Sequence, residues 1–405
     1  MRHLTREPFD LEALKVYLSL RYVPSPRSIF AGETVDSDAR VLMADELGNA
    51  KPAHAERGLS EEILSTCKSI ISSLLHDKSR ICVVTSGGID SSATVATMSM
   101  LGLKFEAVTM GFDGPNDEIQ DAELLCDRFG VRLHKFVSRS VLSSTSEALS
   151  KLRLPYRGAG YCYDLAKYVK SLGFETVVDA LGVDEFFGGY GFRYLKTMQL
   201  RDAGMDELSA YVRGAHPLDF VEEKAGLFGS RLGGIVVPWS KYFPYFENDL
   251  PFLEQIFLAD YNGKCVYNFI PLSSVYKVFG VEPVYPWLSD AFIDLSLRIP
   301  SQLKYDPQTG KTKIAFRKAF EPYLPAEAFL KKKQGFGPDI DTVWQRELKD
   351  ATEDVVLGGY MVSHDYLDRN FFEATLKGEK LSALQMAKCW EVYSLERMLE
   401  VRGIA

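Results

Sequence analysis

Between the apolar run Ile81–Thr85 and the helical pattern of Ser91–Leu101 stands the string Ser86-Gly87-Gly88-Ile89-Asp90-Ser91-Ser92. A strand, a glycine turn and a helix in that order build a phosphate cradle. Two glycines let successive backbone N–H groups turn into one concavity. Ser86, Ser91 and Ser92 add hydroxyl donors, and the positive end of the helix dipole faces the same point. Asp90 sets a carboxylate among phosphate oxygens. That is repulsive without a cation, so Mg2+ is implied. The string is not the G-x-x-x-x-G-K-[ST] phosphate loop.

The flanking pattern predicts what carries this loop. A helix starts near Ser60, a candidate cap, with Ile63, Leu64, Cys67, Ile70, Ile71, Leu74 and Leu75 on its apolar face. Strands are expected at Ile81–Thr85, Phe105–Met110, Val131–Val137 and Thr176–Leu181. Helices between them are expected at Ser91–Leu101, after a cap at Asn116 and ending at Gly130, and at Asp164–Leu172. Strands alternating with helices imply an α/β fold with a mostly parallel sheet covered on both faces. Ligands of such sheets bind beyond the carboxyl ends of the strands. Residues 193–405 read as mainly helical. Three regions are expected: an N-terminal extension over 1–58, a nucleotide-binding α/β domain over 59–195, and a helical region over 196–405.

The net charge of −8 argues against broad, sequence-blind binding to nucleic acid. The six cysteines contain no CxxC pair, which argues against a compact zinc site, and Cys67, Cys82 and Cys126 fall in apolar segments as buried thiols. A charged N-terminus without an apolar core, and the absence of any long apolar run, make a cytoplasmic protein without a membrane anchor the expectation.

A second string, Gly182-Val183-Asp184-Glu185-Phe186-Phe187-Gly188-Gly189-Tyr190, comes after the fourth expected strand. With the first it is similar to the asparagine synthetase branch of the PP-loop N-type ATP pyrophosphatases, whose members carry SGGxDSS and GxDExFGGY. A third segment, Lys311–Phe320, resembles that branch's K-x-x-x-R-x-A string. Leu324-Pro325 and Lys332–Phe336 resemble its LP pair and its basic KQGF-type turn. Weaker matches are Leu18–Phe30, Glu282–Asp290 and residues 384–396.

The resemblance implies that Mg-ATP binds at Ser86, Gly87, Gly88, Asp90, Ser91, Ser92, Gly182 and Asp184. Asp90 and Asp184 would hold Mg2+. Main-chain groups near Val84, Thr85 and Met110 would seat the adenine. Lys313 and Arg317 fall on the family's catalytic lysine and its arginine; a lysine aimed at the α-phosphate stabilises the charge that develops during adenylation. The implied activity is AMP- and pyrophosphate-forming: a carboxylate is adenylated and passed to a nitrogen nucleophile, giving an amide.

Two departures redirect the expectation. The family begins with a glutaminase domain whose nucleophile is an N-terminal cysteine. Here Arg2 follows Met1 and the first cysteine is Cys67. The nitrogen is therefore expected from free ammonia, from a separate glutaminase, or from an amine. The second departure is Leu181, where the family has the glutamate that orients or deprotonates the nucleophile. Leucine can do neither, which counts against asparagine formation and β-lactam closure by that route. Asp179 is a speculative replacement, with a capped strand residue the simpler reading. The stretch Leu272-Ser273-Ser274 also departs from the family's Asp-Arg-x-Ser-Met, so the acceptor pocket has diverged. Glu118 and Asp117 sit at the family's acidic pair. Tyr161 and Tyr163 are read as packing residues, and the aromatic cluster at 242–246 leaves room for an interface between copies. Alternatives are a biosynthetic or tRNA-modifying ligase with another acceptor, and a non-catalytic nucleotide-binding subunit.

Overall fold

Five parallel strands form one sheet in the order β3-β2-β1-β4-β5: β1 (Ile81–Val84), β2 (Phe105–Gly111), β3 (Leu133–Val137), β4 (Thr176–Val178) and β5 (Glu282–Val284). The computed structural model describes residues 7–35, 37–43, 46, 58–112, 118–216, 220–221, 225–247, 249–330, 337–378 and 381–405. The first three strands run outward in one direction from β1, and the last two in the other. The carboxyl ends of β1 and β4 therefore flank the topological switch point, where a crevice opens.

The sheet divides the interior. Along β1, Cys82 faces one core while Ile81 and Val83 face the other, as the period of two requires. The Ile81 side is covered by α2 (Leu59–Leu75), α3 (Ile89–Met100) and α4 (Ile119–Phe129). The Cys82 side is covered by α5 (Ala159–Ser171) and α8 (Val266–Val278), and beyond them by α10 (Ala383–Val401). Between these helices in the chain lie α6 (Val183–Phe186), α7 (Gly191–Asp202) and α9 (Ile314–Phe320).

Several boundaries differ from the expectation, each for a local reason. The cap of α2 is Gly58, at φ 102°, so Ser60 lies inside the first turn. The helix α3 starts at Ile89, directly after Gly88, and α5 starts at Ala159. Asn116 lies outside the described residues. Gly130 ends α4 in the left-handed conformation, at φ 64°. β4 stops at Val178 because the Asp179 carboxylate accepts the Leu181 N–H at 2.9 Å and turns the chain out of the ladder. The strand β5 was not foreseen. It has three residues, Pro283 among them, and is tolerated at the sheet edge, where a missing N–H breaks no central ladder.

The helix α1 (Leu11–Leu20) was not foreseen either. It is buried on nearly every side from Ala13 to Leu20 and belongs to the larger core. A helix enclosed all round has no polar stripe to advertise its period. Its buried Lys15 donates to the Leu232 carbonyl at 3.0 Å, and buried Lys388 of α10 donates to the Leu18 carbonyl at 2.6 Å. These contacts join the N-terminal segment to the C-terminal half. All six cysteines are buried free thiols. No helix among the described residues is long and apolar enough to cross a membrane.

Candidate active site

The loop after β1 is shaped by its own hydroxyls. Thr85 donates to the Ser91 hydroxyl at 3.1 Å, and the Ser86 N–H donates to the same oxygen at 3.2 Å. The Gly87 N–H reaches Thr85 Oγ1 at 3.3 Å, and the Gly88 N–H reaches Ser86 Oγ at 3.3 Å. Gly87 has φ 70°, and a Cβ there would lie 2.5 Å from the Asp121 backbone of α4. Both conformation and contact therefore demand glycine.

The charged residues converge on this loop from three places. Asp90 comes from the first turn of α3, and Asp184 from α6. Lys313, at the start of α9, holds φ 54°, an uncommon conformation for a lysine. Its backbone N–H is tied to the Phe187 carbonyl at 3.0 Å. Its Nζ lies 2.6 Å from Asp90 Oδ2 and 2.7 Å from Asp184 Oδ1, with the side chain 4% exposed. Gly189 makes the approach feasible: a Cβ there would fall 1.8 Å from Asp184 Oδ1 and 2.6 Å from Lys313 Cε. Arg317 comes one turn later, lines the same cavity, and is held by the Phe329 carbonyl and ring. Burial pulls its pKa down, opposed by the nearby Asp90 charge.

A cavity of about 250 Å³ opens here. Ser86, Gly88, Asp90, Ser91, Asp184, Lys313 and Arg317 line one end, and Glu118 also borders it. Cys162 and Leu165 of α5, Asp179, Ala180 and Leu181 after β4, and Leu272 and Tyr276 of α8 line the rest. Asp179 and Leu181 thus share the cavity. Burial pushes the Asp179 carboxyl up to about 6, against the lowering effect of the Leu181 N–H.

Other expected site residues have different places. Ser92 is fully buried beneath the loop, and Met110 is 3% exposed within β2; neither lines the cavity, so Met110 is not a wall of this crevice. Thr85 and Gly87 shape the loop from outside the lining. Gly182, at φ 116°, lies against Trp287 and Leu288, where a Cβ would come within 2.7 Å of the Trp287 carbonyl. Glu185 does not line the cavity. It accepts the Tyr190 hydroxyl at 2.7 Å, and burial, reinforced by the Asp184 charge, raises it to about 7. Tyr161 packs on Phe112, and Tyr163 donates to Glu147, away from the cavity. Asp117 and Lys332–Phe336 lie outside the described residues. Cys162, Leu165, Tyr276 and Ala328 line the cavity without any sequence signal, because their apolar positions look like core; Thr312, in the Lys311–Phe320 string, also lines it.

The chemistry of the polar end fits Mg2+ bound with a nucleotide. Two carboxylates already hold a cation there, and Mg2+ ordinarily takes one or two protein carboxylates plus phosphate oxygens and water. Among the described residues no group of three or more His, Cys, Asp or Glu forms a closed protein metal site.

A parallel sheet, a glycine loop at its switch point and a lysine between two carboxylates define a nucleotide-binding α/β protein of the PP-loop type. The asparagine synthase family model matches residues 67–400, and the chain belongs to that family. It is 21% identical over 406 residues to the glutamine-hydrolyzing asparagine synthetase 1 of Bacillus subtilis (strain 168), covering 86% of this chain and 62% of that protein. Against the glutamine-hydrolyzing asparagine synthetase 1 of Lotus japonicus it is 21% identical over 305 residues, 70% of this chain and 43% of the other. The chain spans about half the length of the curated relatives it matches. Among solved structures, the NMN synthetase from Francisella tularensis aligns with 51% of this chain and 94% of its own, at 15% identity and a TM-score of 0.27.

Proposed function

We propose that the chain is an ATP-dependent carbon–nitrogen ligase that forms AMP and pyrophosphate and joins a carboxylate to a nitrogen nucleophile as an amide. One observation carries this reading: Lys313 Nζ is buried between Asp90 and Asp184 beside the glycine loop. A buried ammonium between two carboxylates is costly unless fully paired. Here the pairing is supplied by groups whose natural competitors are phosphates and their counter-ion. Asp90 and Asp184 would hold Mg2+, which neutralises phosphate charge when bound. Lys313 then presents its ammonium to the α-phosphate, and Arg317 adds a second cation at the same end.

In the first step a carboxylate oxygen attacks the α-phosphorus, and the bond to pyrophosphate breaks with its electron pair leaving on pyrophosphate. In the second the nitrogen attacks the acyl carbon, and AMP departs with the electron pair of the C–O bond. The loop backbone and the Ser86 and Ser91 hydroxyls position the phosphates. The names of the family relatives, glutamine-hydrolyzing asparagine synthetases, support amide synthesis as the outcome.

The test is AMP and pyrophosphate release from Mg-ATP across a panel of carboxylates beginning with aspartate, with and without ammonia. Release with one class of acid supports the reading. Lys313→Ala should lower it about 10²–10³-fold while Mg-ATP still binds in calorimetry. Unchanged turnover in that variant would remove Lys313 from the mechanism.

A further inference from the structure

We propose that the nitrogen nucleophile is a primary amine with an apolar substituent, received at the β4 end of the cavity by the Asp179 carboxylate. This rests on the ligase reading and names its acceptor class.

The carboxylate stands directly past β4, and the cavity it lines also holds Lys313. The groups facing Asp179 from the surrounding elements are Cys162 of α5, Tyr276 of α8 and Tyr285 after β5. Burial raises all three, so each is neutral near pH 7. Its hydrogen-bond partner among the described residues is the Leu181 N–H. The two cavity cations are engaged elsewhere: Lys313 with Asp90 and Asp184, Arg317 with the Phe329 carbonyl. Asp179 is therefore a negative charge at an apolar wall, with no cation beside it among the described residues. A bound ligand can supply one.

The wall says what else the ligand carries. Leu165, Ala180, Leu181 and Leu272 border the same space. Ammonia would leave these side chains without a partner. The free carboxylate of an amino acid would meet Asp179 without a compensating cation. An ammonium attached to an alkyl or aryl body satisfies both features.

The proton balance also fits. An alkylammonium must lose one proton before its lone pair attacks the acyl carbon and a second as the amide forms. Asp179, within the same cavity, can accept the first as the amine attacks, and the second leaves to water. The C–N bond forms, the C–O bond to AMP breaks, and AMP carries the electron pair away.

Calorimetry on the full chain, with and without Mg-ATP, tests this with n-butylammonium, ammonium and the uncharged 1-butanol as probes. Burial of apolar carbon is worth about fourfold per methylene. Butylammonium is expected to bind at least tenfold more tightly than either ammonium or 1-butanol. Asp179→Asn keeps the acceptor for the Leu181 N–H and should raise the butylammonium Kd at least tenfold without moving that of Mg-ATP. Leu181→Asn should erase the preference of butylammonium over ammonium and keep that over 1-butanol; it covers the case of an Asp179 variant that does not fold. Equal binding of butylammonium and 1-butanol, or none, overturns the proposal. So does an Asp179→Asn variant that loses Mg-ATP affinity alone, since Asp179 would then grip the ribose hydroxyls. Amine binding without any AMP formation would sink the ligase reading and leave the amine site standing.

Discussion

The two ends of the cavity are built by opposite means. At the loop end, chemistry comes from backbone geometry and from three charged side chains paired with one another: Asp90, Asp184 and Lys313. At the β4 end, apolar side chains from α5, the 179–181 turn and α8 surround a single carboxylate. The first end suits what every ATP-using member of such a family handles, a phosphate chain. The second suits what distinguishes one member from another. The contrast teaches that the two steps of the proposed transfer would rest on different structural elements of one cavity.

The sharpest way to break the contrast is Lys313→Ala. It removes the cation that the loop end is built around, and the expected loss of AMP formation is about 10²–10³-fold. Asp90 and Asp184 would then face each other without their lysine, so a lower Tm should accompany it. AMP release and a thermal melt on the same sample check both.

Next in size is Gly189→Ala. Its Cβ would fall 1.8 Å from Asp184 Oδ1 and 2.6 Å from Lys313 Cε. Something must move, at a cost of about 1–3 kcal/mol. Because the groups that move are Asp184 and Lys313, a fall in kcat should accompany the fall in Tm. A variant that melts lower yet turns over normally would show that the Asp184–Lys313 contact is dispensable.

A smaller effect sharpens the boundary of the apolar end. Tyr163 adjoins Cys162 in sequence but turns away from the cavity, donating to Glu147 at 2.7 Å. Tyr163→Phe should cost about 1 kcal/mol of stability and leave kcat and every KM unchanged. A changed KM would extend the apolar wall to a residue that does not line it.

Legibility in the sequence divides in the same way. The loop at 86–92 was readable because phosphate binding needs glycines, hydroxyls and a helix start within a few residues. Asp184 and Lys313 were readable through strings that resemble the family's. The apolar end was readable only at Asp179, Leu181 and Leu272, which stand where the family's strings differ, since Leu165 and Tyr276 lie far apart in the chain and read as ordinary core. Their convergence depends on α5 and α8 lying on the same side of the sheet. Met110 lies in β2 and does not line the cavity, which opens at the switch point between β1 and β4. In α1 the information is absent altogether, because enclosure on all sides erases the amphipathic period.

The smallest expected effect bears most directly on the comparison, because it sets function against stability at one residue. Asp179 has its carboxyl pushed up to about 6 by burial, from an ordinary value of 3.8. The folded protein therefore holds this proton over a range where the unfolded chain has released it. Stability from this group falls as pH rises between about 4 and 6, and the deficit is complete above 6. Asp179→Asn removes the buried charge and keeps the Leu181 hydrogen bond. It should raise Tm at pH 7–8, on the order of 1–2 °C since the residue keeps some contact with solvent, and leave Tm unchanged below pH 4. A structural residue would show the reverse, a lower Tm at every pH. A gain confined to neutral and alkaline pH, together with lost amine binding, means that Asp179 is retained at a cost in stability for what it binds, as functional sites commonly are.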